Sequence, residues 1–211
     1  MKKLFLFTIP LVLLASCEKD PDMENLDGDL AVYTDYAPDS DFGSFDTYYL
    51  PDSILEVNGN RATFWKDENS DKIISEIESE MNGKGYTRTG DKETASLGIQ
   101  VSYLAENNRV IVDGGGWYPG WWDYSFWGPW WGGWYYPYTV SYTYSYATHS
   151  LMIEMADLQK KNDDENKNRL PIIWFGEAYG FRYGNNRYDM NLILDGIDQA
   201  FRQSDYLGKN K

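Results

Sequence analysis

Hydrophobic and polar positions along this chain repeat with two periods. Val140, Tyr142, Tyr144 and Tyr146 alternate with Ser141, Thr143 and Ser145, the strongest period-two signal in the sequence. Leu97, Ile99, Val101 and Tyr103 alternate with polar neighbours, and Leu151, Ile153 and Met155 repeat the pattern. Each run predicts a half-buried strand, because successive side chains leave a strand on opposite faces. Val32, Tyr33, Thr34 and Tyr36 predict a strand before the turn residues Pro38-Asp39-Ser40-Asp41. Phe45 and Thr47 to Leu50 predict another, ended by Pro51. Val110 to Val112 and Ile172 to Phe175 are short apolar runs of strand length, the latter expected to stop at Gly176 and give way to loop over Gly180 to Arg187. A helical period governs two stretches. Ile73, Ile74, Ile77 and Met81 fall on one face with Glu76, Glu78 and Glu80 on the other, and Met190, Leu194, Ile197 and Phe201 form a second apolar stripe. Ser70 stands where the first helix expects its N-cap; Gly83 and Gly85 stand where it should end. Residues 52–69 show few periodic features and predict a connection. Residues 157–169 are polar and charged and predict a solvated hairpin link. This order predicts an α+β fold: a two-layer sandwich, an antiparallel-rich mixed sheet with two helices packed on one face.

The N-terminal stretch has another pattern. Lys2 and Lys3 precede an apolar run from Leu4 to Ala15, too short to span a bilayer, which needs roughly 20 residues. A basic start, an apolar middle and small residues at the end are the anatomy of a secretory signal. Leu14-Ala15-Ser16-Cys17 closes it and resembles the lipobox of bacterial lipoproteins. That resemblance implies cleavage before Cys17 and acylation of Cys17, so residues 1–16 are expected to be a signal peptide. Residues 17–30 are the lipidated cysteine and an acidic, flexible tether with almost nothing to pack. The tether spans roughly 20 Å on average as flexible chain. Charged residues directly after the cysteine resemble the surface-export signals of some Bacteroidetes lipoproteins. The folded domain is expected over residues 31–207.

Composition narrows the classes of partner. The net charge is −14, from 33 acidic against 19 basic residues. Nucleic acid and anionic headgroups both need Lys/Arg clusters, and the chain has no basic stripe, so no nucleic-acid partner is expected. Cys17 is the only cysteine and His149 the only histidine. With Cys17 acylated, no disulfide can form, and a zinc or other transition-metal site has almost no ligands to draw on. We expect no cofactor and no metal.

Aromatic residues are the compositional exception, with nine Trp and eighteen Tyr. Seven of those tryptophans, Trp117, Trp121, Trp122, Trp127, Trp130, Trp131 and Trp134, fall within residues 114–138. Glycine and proline fill the gaps, which suits neither helix nor long strand and predicts a loop between two strands. Seven indoles carry on the order of 1,000 Å². A soluble monomer rarely exposes an apolar patch beyond about 300–600 Å². The loop must therefore pack on its own sheet or meet a protein, a glycan or a membrane. Asp123 is its only charge.

Candidate catalytic groups are sparse. His149 lies between Thr148 and Ser150 with no carboxylate or cysteine beside it in sequence, the setting of a strand-end polar residue. Asp189, Asp195 and Asp198 belong to the last helix; Asp195 and Asp198 share a face, as paired acid/base carboxylates would, and as solvated acids also do. Gly114-Gly115-Gly116 lacks the lysine of a phosphate loop, and no Gly-x-Ser-x-Gly elbow or Cys/His arrangement is present. Asp39-Ser40-Asp41 and Asn162-Asp163-Asp164-Glu165 offer calcium-type oxygens without the cadence of a tight site.

Three segments are similar to the DUF4136 family, a domain of unknown function in bacterial envelope lipoproteins. They are Asp35 to Phe42 with Phe45 to Tyr49; Lys84-Gly85-Tyr86 followed by Leu97 to Val101; and Ser150 to Asp157 completed by Ile173 to Ala178. A basic residue is usual in the family between the Trp and the Gly of the last segment, where this chain has Phe175. The resemblance implies an α/β sandwich on a lipid anchor, with fold markers rather than catalytic motifs. The function expected from all this is a lipid-anchored outer-membrane or envelope lipoprotein that binds or scaffolds without turnover. The alternative is a surface glycan-binding protein using the tryptophan-rich loop, with an envelope hydrolase behind both.

Overall fold

In the computed structural model, described residues are 30–58, 61–105, 111–112, 134–135, 142–143, 149–160, 170–181 and 190–208. The strands are β1 (Ala31–Tyr36), β2 (Thr47–Tyr49), β3 (Ile54–Asn58), β4 (Arg61–Trp65), β5 (Thr87–Arg88), β6 (Leu97–Ala105), β7 (Ile111–Val112), β8 (Trp134–Tyr135), β9 (Tyr142–Thr143), β10 (His149–Asp157) and β11 (Leu170–Phe181). The helices are α1 (Glu68–Gly83) and α2 (Met190–Gln203). The expected α+β class is found: a mixed, mostly antiparallel open sheet with two helices.

The sheet runs β1-β11-β10-β6-β2-β5. β10 pairs antiparallel with β6 on one side and β11 on the other, and β1 closes that side antiparallel to β11. On its other edge β6 carries two partners end to end. β2 pairs with Leu97 and Gly98, and the β3–β4 hairpin docks through β3 on Ser102 to Ala105, both parallel to β6. Residues 52–69 therefore hold a hairpin and the start of α1, where the sequence predicted only a connection. Ile54, Leu55 and Val57 are all buried, so β3 lacks the one-sided alternation that marks a strand in sequence.

Helix α1 begins earlier than Ser70 suggests. Asp67 is the N-cap: its carboxylate accepts from Asn69 N (2.8 Å) and Ser70 N (3.0 Å), and Ser70 Oγ accepts from Asp67 N (2.7 Å). Ser70 is thus the third residue of a capping box. Burial disfavours the Asp67 charge, but these N–H donors, the nearby Trp65 indole and Lys72 together hold its carboxyl below the ordinary range.

Both helices lie on one face. Leu97, Ile99, Val101 and Tyr103 of β6, Leu151, Ile153 and Met155 of β10, and Trp174 and Ala178 of β11 meet Ile73, Ile74, Ile77 and Met81 of α1 and Ile193, Ile197, Ala200 and Phe201 of α2 in one core. α2 approaches the sheet closely because Gly196 has no side chain; a Cβ there would lie 2.6 Å from the Ala178 Cβ. Strand β11 runs through Gly176 and Gly180 instead of stopping at the first. At Gly176 a Cβ would lie 2.8 Å from the Trp174 ring, so that glycine makes room for the indole. Trp174 is fully buried and its Nε1 donates to Ser204 Oγ (2.9 Å), tying the C-terminal segment to the sheet. Lys84 Nζ donates to Ser204 O (3.0 Å), and Tyr86 OH donates to Phe42 O while accepting from Gly208 N. Among the described residues, no helix is long and apolar enough to cross a membrane.

Candidate functional site

The other face of the same strands is chemically different. Pairing places three rows of side chains across it. The first runs Leu55, Ser102, Met152, Glu177, Tyr33. The second runs Gln100, Glu154, Phe175, Asp35. The third runs Val57, Leu104, Ser150, Tyr179, Ala31. Two carboxylates thus sit as diagonal neighbours on adjacent strands, with an amide and a hydroxyl beside them. All four are buried: Glu154 is 1 % exposed, Glu177 0 %, Gln100 4 % and Ser102 0 %. Gln100 Nε2 donates to Val101 O (3.1 Å), whereas Ser102 Oγ has no hydrogen-bond partner among the described residues. Toward the β1 edge the face is half-buried. Tyr33 OH donates to Asp35 Oδ2 (3.3 Å), Asp35 Oδ1 accepts from Tyr36 N (2.8 Å), and the Tyr33 ring lies 5.7 Å from Phe175. Burial, with Asp35 beside it, raises the Tyr33 pKa. Phe175 stands directly between Glu154 and Asp35.

At the end of the sheet, His149 opens β10 opposite Phe181. Its ring stacks on Tyr103 (5.6 Å, 23°), which meets Trp65 edge-on (5.4 Å, 69°). The lone histidine thus belongs to an aromatic group on the helix side. Asp195 is exposed on α2, and Asp198 forms an ion pair with Arg202 (2.7 Å). Asp39 is exposed in the turn after β1, and Asp41 caps the short 3-10 turn at residues 42–44 through Gly43 N (3.1 Å). No three of His, Cys, Asp and Glu come together as a metal site among the described residues. Cys17, Asp189, residues 162–165, and Trp117, Trp121, Trp122, Trp127, Trp130 and Trp131 lie outside them.

Around the tryptophan-rich segment, three short strands are described. Ile111 pairs with Thr143 and Val112 with Tyr142, antiparallel. The chain therefore leaves at Val112 and returns beside it at Tyr142. Trp134 and Tyr135 pair parallel with Leu170 and Pro171 at the start of β11.

Sequence reasoning found neither Glu154 nor Glu177 as a candidate. Glu154 sits at a polar position of an alternating strand, which reads as a solvated face, and Glu177 lies past Gly176, where the sequence predicts that the strand stops. The alternation gives the side of the sheet and not whether that side is covered.

The DUF4136 model, a domain of unknown function, matches residues 32–204. The chain belongs to the DUF4136 family. A crystal structure of a DUF4136 family protein from Bacteroides thetaiotaomicron is similar at 36% identity and TM-score 0.68, over 86% of this chain and 99% of that one. A PDZ domain protein from Parabacteroides distasonis aligns at 17% identity and TM-score 0.42, over 84% of this chain and 36% of that one. Comparison with curated proteins gives no match.

Proposed function

We propose that this DUF4136 protein is a lipid-anchored envelope lipoprotein, held at the outer membrane through acylated Cys17, that binds or scaffolds a partner without catalytic turnover. The observation that carries this is the lipobox-like Leu14-Ala15-Ser16-Cys17 behind a basic start and an apolar run. The acidic residues that follow suit a tether. The family match begins at residue 32 and Leu30 packs near Gly196, which suits a tether ending at residue 30. The placement of the candidate catalytic groups supports binding over chemistry: Asp198 is engaged by Arg202 and His149 by Tyr103.

The alternative partner is a glycan met by Trp117, Trp121, Trp122, Trp127, Trp130, Trp131 and Trp134, favoured by their concentration in one neutral stretch.

Palmitate labelling and fractionation of cells carrying the wild type and Cys17→Ala test the anchor. The wild type should label and sediment with the outer membrane, and the variant should do neither. Mature C17A protein that still partitions into the membrane would remove the proposal.

A further inference from the structure

We propose that β1 is a pairing edge through which two copies of this chain join their sheets, antiparallel and about a two-fold axis at Tyr33. β1 ends the sheet: among the described residues it has β11 on one side and no strand on the other. Its six residues pair with β11 without a register shift, and all six are half-buried. An edge strand is normally guarded by shortness, proline, lysine or a bulge. β5, at the other end of the path, is two residues long, and β4 ends against the exposed Lys66. β1 has no proline, lysine or bulge, and Asp35 is its only charge.

The phase of the ladder says which backbone groups face outward. Ala37 N donates to Ile173 O (2.8 Å), so Ala37 and, by alternation, Asp35, Tyr33 and Ala31 address β11. Val32, Thr34 and Tyr36 face the outer side. Tyr36 N is closed by Asp35 Oδ1 (2.8 Å), which leaves Val32 and Thr34 as the open steps. These two steps are complementary to each other. A second copy laid antiparallel with Tyr33 opposite Tyr33 sets each Val32 opposite the other copy's Thr34, and each such pair exchanges both N–H···O bonds. Sliding one way asks for the Tyr36 N–H, already given to Asp35; sliding the other way runs off the strand at Leu30. Charge favours the same register, because Asp35 then lies opposite the other copy's Ala31 and the two carboxylates do not meet. Thr34 is held from the helix side, where its Oγ1 accepts from Gln203 Nε2 (2.9 Å), so the edge is ordered before a partner arrives. A foreign strand needs no such symmetry; the reciprocal match of the two open steps is what assigns the edge to a second copy.

One strand from each copy is a small contact, below the roughly 1,200 Å² of a stable interface, so a covalent trap is the suitable probe. The two Tyr33 residues form a non-hydrogen-bonded pair with Cα atoms about 4.5 Å apart, within the roughly 4.4–6.8 Å that a disulfide spans. Two Ala31 residues lie about 13 Å apart in the same register, beyond that span. The test oxidises purified, detergent-solubilised full-length chain in about 0.5 M salt, which screens the repulsion between two chains of −14. Every protein also carries Cys17→Ala, so that the introduced thiol is the only one. Tyr33→Cys should give a disulfide dimer on a non-reducing gel. Ala31→Cys and Asp35→Cys should each stay monomeric alone and cross-link when mixed. Thr34→Pro removes an outward N–H that β11 does not use, so circular dichroism should still show cooperative folding. Added to Tyr33→Cys, it should lower the dimer yield by about tenfold or more. No dimer from Tyr33→Cys, an equal yield from Ala31→Cys alone, or a yield unmoved by Thr34→Pro overturns the proposal. If Thr34→Pro does not fold, the Ala31→Cys and Asp35→Cys mixture decides the register by itself. A Tyr33→Cys chain that stays monomeric when pure but forms a mixed disulfide in whole envelopes gives the edge to a different partner and overturns the proposal as well.

Discussion

The two faces of one sheet solve different problems. The helix side is built mainly from apolar side chains, and the buried Trp174 indole meets Ser204 in a closed polar contact. The opposite side places Glu154, Glu177, Gln100 and Ser102 in its middle and buries them as completely. Burying carboxylates is expensive unless each is well met, and apolar residues of the same volume are often as stable or more so. Apolar burial alone therefore holds the helix side, whereas the other side also needs its buried polar groups met by partners. The strands are shared, so pleat and register carry both demands with no conflict: odd positions of β6 build the core and even positions carry the polar set.

The strongest way to break this comparison is at Trp174. It is fully buried, lies 5.3 Å from the Phe201 ring, and holds the C-terminal segment through Ser204. Trp174→Ala should cost about 3–5 kcal/mol by cavity formation. Chemical denaturation measures it; a cost under about 1 kcal/mol would mean that the helix side is not the stabilising one.

Much of this was legible beforehand. Both helices and the inner strands β6 and β10 follow from period alone, because each has one wet or polar side to set against an apolar one. The β3–β4 hairpin was hidden since Ile54, Leu55 and Val57 are covered on both sides. Gly176 looked like a strand end; its absent Cβ in fact accommodates a neighbouring indole, which only the tertiary contact reveals. Ser70 and Asp67 are both good capping residues, and the box they form uses the two together. The acids at 154 and 177 were invisible as a site because a sequence with 33 acidic residues gives no reason to single out two.

Smaller perturbations sharpen the contrast. Gly196→Ala forces a methyl group against Ala178 and should cost about 1–3 kcal/mol through overpacking of α2 on β11, read as a lowered thermal midpoint. An unchanged midpoint would mean that the helix can shift away without loss. Asp67→Ala removes the α1 N-cap and should cost about 1 kcal/mol at neutral pH. The sign of its pH dependence is fixed, since the folded carboxyl titrates below its ordinary value of 3.8. Its stabilisation is present above that value and fades as pH falls through the lower folded value. Wild type and variant should converge in strong acid, and a constant gap down through that range would show that the carboxylate charge is not what caps the helix.

The smallest change bears most directly on the polar face. Ser102 Oγ is buried at 0 % exposure with no hydrogen-bond partner among the described residues, one row from Glu154 and Gln100. An unmet hydroxyl in that position is a net cost, because water is lost and nothing replaces it. Ser102→Ala keeps the strand and the packing of Leu55 and Met152 on either side. It should therefore be neutral or stabilising by up to about 1 kcal/mol, where an equivalent polar deletion in a satisfied network destabilises by about that amount. Paired denaturation curves at one pH are enough to read the sign. A stabilised Ser102→Ala protein would mean that this face keeps a hydroxyl at the expense of stability. A destabilised one would make the hydroxyl part of a closed structural network and remove the difference between the two faces at that position.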